Sequence, residues 1–83
     1  MIDKAVVTLK CSDGSILGDF ELPANCVTTE LETVLASALA EEFPEKFTGA
    51  ERVYLSGNGK NLSGNETLAS RGLWDGSILE VWR

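Results

Sequence analysis

With 83 residues the chain is expected to form one domain over 1–83, with a core only just large enough to fold alone. An apolar fraction of 43% is that of an ordered protein, and a net charge of −6, with seven scattered basic residues against thirteen acidic ones, argues against nucleic acid. No run approaches the roughly 20 apolar residues that span a bilayer, and no basic-then-apolar leader opens at Met1-Ile2-Asp3-Lys4, so the expected address is the cytoplasm without membrane insertion.

From Lys4 to Cys11 the residues alternate, with Ala5, Val7, Leu9 and Cys11 on one side and Val6, Thr8 and Lys10 on the other. Period two with β-branched residues predicts a strand with one buried face. Ser12-Asp13-Gly14-Ser15 follows, and Asp-Gly between two such runs predicts a hairpin, because the turn needs positive φ. A second strand is predicted over Ile16–Leu22, with Ile16, Phe20 and Leu22 facing inward and Gly18 marking a bulge or a close backbone approach. Pro23 ends it.

A helix is predicted from Thr29, where Thr29 and Glu32 have the spacing of a capping box and Glu30 and Glu32 complement the helix dipole. Leu31, Val34, Leu35, Ala38 and Leu39 form its apolar stripe, Phe43 extends the stripe, and Pro44 stops the helix. Glu41 and Glu42 point about 100° apart and read as a solvated face, not an acid/base couple. Phe47 is expected under the core edge. Arg52-Val53-Tyr54-Leu55 is the third strand, with Tyr54 outward, and Ser56-Gly57-Asn58-Gly59 is a turn. Lys60-Asn61-Leu62 is a brief fourth strand, and a polar arc leads to Thr67-Leu68. After the Asp75-Gly76 turn the last strand places Leu79 and Val81 inside and Ile78, Glu80 and Trp82 outside. Trp74 is expected to prop that turn.

Hairpin, helix, strand, short strand, strand is an α+β order. With right-handed crossovers and a last strand returning beside the first, it resolves to a β-grasp roll: one main helix held in the curve of a mixed sheet.

The chain resembles ubiquitin over nearly its whole length. Arg52-Val53-Tyr54-Leu55 stands where ubiquitin has Arg-Leu-Ile-Phe, Gly59-Lys60-Asn61-Leu62 looks like its Gly-Lys-Gln-Leu, and Thr67-Leu68 like its Thr-Leu. A closer resemblance is to the YukD/EsaB family, small bacterial ubiquitin-like proteins encoded with type VII (WXG100, Esx) secretion systems. It is carried by Gly59-Lys60-Asn61-Leu62, by the run Thr67 to Leu73, and by Asp75-Gly76 ahead of a short final strand. Ubiquitin and the related sulfur carriers act through a Gly-Gly tail. This sequence stops at Arg83, so the expected protein is non-conjugated.

Residues for chemistry are sparse. Two cysteines and no histidine make no zinc site. Cys11 and Cys26 fall at opposite ends of the hairpin, roughly 20 Å apart at about 3.3 Å per residue, too far for a disulfide. Cys26 precedes a helix start, where a thiol pKa is often lowered, but without a histidine base it reads as a small apolar residue. Gly57-Asn58-Gly59-Lys60 lacks the first glycine and the Ser/Thr of a phosphate loop, and the acidic residues have no calcium-loop spacing. The two Asn-x-Ser/Thr sequons, at Asn61 and Asn65, read as coincidences of a polar loop. The expectation is therefore not an enzyme, with no cofactor, metal or small-molecule substrate. What remains is recognition of a protein, and the resemblance implies a component of the type VII secretion apparatus. The candidate patch is Tyr54, Ile78 and Trp82, rimmed by Lys60, because large aromatic residues are enriched in interface hot spots. Two alternatives are a ubiquitin-like adaptor unrelated to secretion and a truncated conjugatable modifier.

Overall fold

The computed structural model describes residues 3–83. Met1 and Ile2, read above for a leader, lie outside the described residues. The elements run β1 (Lys4–Cys11), β2 (Ile16–Pro23), α1 (Thr28–Glu42), the single turn α2 (Pro44–Phe47), β3 (Tyr54–Gly57), β4 (Lys60–Asn61) and β5 (Ile78–Trp82). They build a five-stranded sheet of order β2-β1-β5-β3-β4. β5 pairs parallel with β1 and antiparallel with β3, so the mixed sheet and returning last strand of a β-grasp are both present.

The strand alternation sets the core. Ala5, Val7, Leu9 and Cys11 of β1 and Leu79 and Val81 of β5 are buried together with Leu31, Leu35 and Leu39 of α1. Leu55, Leu68 and Leu73 belong to the same cluster, as does Phe47.

Gly18 does mark a bulge, with a consequence for its neighbours. Leu9 pairs with Gly18 but Lys10 pairs with Ile16, so Leu17 is the extra residue of β2. Gly18 takes φ +131°, which favours glycine. The shift moves Ile16 onto the outer face, where it is 59% exposed, and Leu17 packs against the core in its place.

The helix also differs from expectation. It starts at Thr28 after an N-cap at Val27 that supplies no side-chain hydrogen bond, so Thr29 and Glu32 form no capping box. The first free N–H groups are satisfied from outside: Thr28 donates to the Glu66 carbonyl at 2.8 Å and Thr29 to the Gly64 carbonyl at 3.2 Å. Both threonine hydroxyls donate to the same two carbonyls. The 63–66 arc, which looked like a polar connection, is thus the lid on the helix start.

The buried face is rotated as well. Leu31, Leu35 and Leu39 face inward as expected, but the row beside them is Thr28, Glu32 and Ala36, all buried. Val34 is 65% exposed and Ala38 is exposed. The cause is Glu32, whose carboxylate reaches β3 and turns that side of the helix toward the sheet.

β3 lies two residues later than expected. Arg52 and Val53 precede it, and Ser56 and Gly57 are strand residues paired with Glu80 and Leu79 of β5. Gly57 looked like a turn residue because it has no side chain. A Cβ there would come within 2.7 Å of a Leu73 methyl and 3.1 Å of a Leu79 methyl, so glycine is needed for packing. The turn is Asn58-Gly59, both with positive φ.

Candidate protein-docking face

β3 and β5 place Tyr54 directly opposite Trp82 in an antiparallel register. Period two turns both side chains away from the helix, because Leu55 and Val81 between them are buried. The rings stack with centroids 6.1 Å apart and planes 27° from parallel. Such a cross-strand pair stabilises by about 0.5–1.5 kcal/mol beyond its area burial. Tyr54 remains 43% exposed, and Trp82 is half-buried.

Above Tyr54 stands Arg52, its guanidinium carbon 5.0 Å from the ring centroid. The same guanidinium donates from Nε at 3.1 Å and Nη2 at 2.9 Å to Glu32 Oε1. Glu32 Oε2 accepts the Leu55 N–H at 3.1 Å. Glu32 is 1% exposed, so these three donors compensate a carboxylate removed from water. The result is a continuous link from the interior through Arg52 to the aromatic pair. Sequence reasoning gave Glu32 a capping role and Arg52 none. The available signal was an acidic residue inside the Leu31–Leu35–Leu39 stripe and a lone arginine at the start of a strand.

The other two patch residues lie apart from this pair. Ile78, 58% exposed, is at the opposite end of β5 from Trp82 and pairs with Thr8 of β1. Its surroundings are the outer side of β1, where Val6 is also exposed. Lys60 is exposed, but it pairs with Gly57 and so takes the parity opposite to that of Tyr54. Asn61, opposite Ser56, shares the aromatic side. A shallow concavity of about 790 Å³ lies beside Trp82, lined by Ser56, Asn61 and Glu80 on the sheet and by Asp13 and Lys46 at its end.

Asp13 and Lys46 are charged groups of known partners. Asp13 accepts from the Ser15 hydroxyl and N–H, and from Lys46 Nζ at 3.3 Å. The Ser15 bonds first, then Lys46, lower its pKa from 3.8 to about 2.

The turns around the face are held by side chains. Asp75 Oδ1 accepts the Val6 N–H at 2.7 Å, tying the turn before β5 onto β1. Ser77 Oγ accepts the Trp74 N–H, whereas the Trp74 ring is exposed and does not prop the turn. Arg71, given no role by the sequence reading, donates to the Asn61, Gly57 and Lys60 carbonyls and to Glu66 Oε1, at 3.0–3.4 Å. Its guanidinium and the Ser63 N–H hold the Glu66 carboxyl below the usual range, the Ser63 bond being the larger effect.

Neither cysteine is in a disulfide. Cys11 is buried and Cys26 half-buried. Burial, and then the Glu30 carboxylate 3.8 Å away, push the Cys26 thiol pKa up, opposite to the effect of a helix start. Among the described residues no group of three or more His, Cys, Asp or Glu is placed to hold a metal, and no helix is long and apolar enough to cross a membrane.

No protein-family model matches the chain, and no curated protein matches it. Solved structures do. The ubiquitin-like domain of the Mycobacterium tuberculosis type VII secretion system protein EccD1 is similar, with a TM-score of 0.78 at 20% identity over 99% of this chain and 100% of that one. The EccD5 ubiquitin-like domain from Mycobacterium xenopi gives 0.71 at 19% identity, over 98% and 97%. Caldiarchaeum subterraneum ubiquitin gives 0.64 at 18% identity, over 96% and 92%. The fold is the ubiquitin-like β-grasp.

Proposed function

We propose that the protein is a ubiquitin-like component of the YukD/EsaB kind, acting in the cytosol as an accessory or regulatory part of a type VII (WXG100/Esx) secretion system. It works by non-covalent contact with a protein of that apparatus and not by catalysis. The docking face is the outer side of the sheet around Tyr54 and Trp82. One observation carries the reading: a stacked Tyr–Trp pair stands on the side of the sheet away from the helix, where the core does not require it. Stacking has already fixed both rings, so a partner that covers them has less side-chain freedom to remove. The likeness to two EccD domains across nearly their full length supports the secretion setting.

The test is a Trp82→Ala and a Tyr54→Ala variant in a host that secretes WXG100 proteins, with circular dichroism on the purified chains. Folded variants are expected to stop or strongly reduce WXG100 export and to lose photo-crosslinking, through a reactive group placed at Glu80, to an apparatus component. Normal export and crosslinking by both folded variants would move the interface elsewhere. Crosslinks to a protein outside the apparatus, with export intact, would favour an adaptor unrelated to secretion.

A further inference from the structure

We infer that the opposite margin of the sheet is a second docking site, which takes an extended segment of a partner protein with alternating apolar and basic residues as an added strand beside β2. It stands on different residues from the aromatic face and does not depend on that reading.

Three observations converge. First, β2 is the end strand of the sheet, so among the described residues one side of its backbone has no strand neighbour. An unpaired strand edge is a template for another strand. Second, the rotated phase of α1 leaves apolar residues over. Val34 and Ala38 do not enter the core; with Leu35 they form one wall of an apolar groove whose other wall is Phe20, Leu22 and Pro23 of β2. The groove has a volume of about 240 Å³. An added strand alternates its side chains, so every second residue would point into it.

Third, charge selects the occupant. Beside the groove, on the Pro23 side of the bulge, the residues of β2 that point to the outer face are Asp19 and Glu21, both exposed. Asp19 accepts the Thr8 hydroxyl at 2.7 Å, and Glu21 meets Lys4 at 3.0 Å in a solvent-exposed pair, so neither carboxylate is enclosed. Along α1, Glu30 and Glu42 are exposed and stand one turn before Val34 and one turn after Ala38 on the same row. Directly opposed like charges destabilise a strand pair and unlike charges stabilise it. A second copy of this chain, pairing β2 with β2, would bring Asp19 and Glu21 against their own equivalents. A strand carrying Lys or Arg on its outer side would face them favourably while its apolar residues fill the groove.

The probe is a fluorescein-labelled octapeptide of alternating valine and lysine, with a control in which every lysine is glutamate. Anisotropy at about 0.15 M salt, where exposed charges beyond ~8 Å are screened, is paired with amide NMR of the protein. The valine–lysine peptide should bind at least tenfold more tightly than the control. Amide shifts and slowed exchange should concentrate at Asp19–Leu22. Val34→Asp and Ala38→Glu, both at exposed positions, should each weaken binding at least tenfold with unchanged circular dichroism. Equal affinity of the two folded variants and the parent overturns the site. So do shifts scattered over the surface carboxylates or centred on Tyr54 and Trp82, absence of binding, or peptide-free dimerisation that protects β2.

Discussion

Glu32 Oε1 accepts from both Nε and Nη2 of Arg52, and that fork joins the inner face of α1 to the segment just ahead of β3. The pair orders two surfaces at once. Glu32 Oε2 holds the Leu55 N–H within the core, while the Arg52 guanidinium lies over the exposed Tyr54 ring. Arg52→Ala leaves a buried carboxylate short of two donors and is expected to destabilise by about 1–3 kcal/mol in urea unfolding. Arg52→Lys should recover only part of that loss, because an ammonium cannot reproduce the planar fork. Parent-like stability in both would mean that water replaces the guanidinium without cost.

The phase of α1 is checked by two neighbouring substitutions. Leu35→Ala empties a core position and should cost about 2–5 kcal/mol. Val34→Ala, at a residue 65% exposed, should change stability by no more than about 0.5 kcal/mol. Equal costs at the two positions would return Val34 to the core.

Asp13 gives a signed pH dependence. Its folded pKa of about 2 lies below the 3.8 of the free group, so the unfolded chain binds the proton more readily. Its stabilising contribution is present above about pH 4 and is lost as pH falls toward 2. Carboxyl NMR should place the Asp13 midpoint near 2. Asp13→Asn should flatten this part of the acid limb, with the parent and variant curves converging below it. A midpoint at the ordinary carboxylate value would show that the Ser15 bonds do not persist in solution.

Arg71 gathers carbonyls from both sides of the Asn58-Gly59 turn. Arg71→Lys keeps the charge but not the directions of the donors, so hydrogen exchange of the Leu62 amide, bonded to the Leu55 carbonyl, should quicken. The β1 amides should be unaffected. Unchanged exchange at Leu62 would reduce Arg71 to a surface cation.

Gly57→Ala would press a methyl group against Leu73 and Leu79 and should destabilise by about 1–3 kcal/mol, measured by thermal or urea unfolding. A neutral result would mean that the Leu73 side chain swings clear.

These positions also mark where the sequence was readable. β1 and β5 were legible because each is half-buried and alternates without interruption, and the Asp13-Gly14 turn has its own chemistry. Ile16 was assigned to the wrong face because an extra residue at Leu17 inverts every side chain beyond it. Val34 and Ala38 fit a helical stripe as well as Ala36 does. Only the carboxylate of Glu32, seeking donors in and just ahead of a strand twenty or more residues away, decides which side turns in. Gly57 was read as a turn because a close approach and a turn call for the same residue. Tyr54 and Trp82 were named as an outward pair, but their stacking depends on the register between strands. Arg71 was invisible because its acceptors are main-chain carbonyls, which carry no sequence signature.

The parallel pairing of β1 with β5 gives the domain a direction in which it resists being pulled. Their register runs from Thr8 opposite Ile78 to Cys11 opposite Val81, so Lys4 and Trp82 leave the pair at opposite ends. Tension between those two residues lies along the strands and loads the shared hydrogen bonds in shear, all at once. Tension between Lys4 and Pro23, which face each other across β1 and β2, would instead open that ladder one rung at a time. The same fold is thus a lock to a motor hauling on its last strand and a zip to one that catches the hairpin.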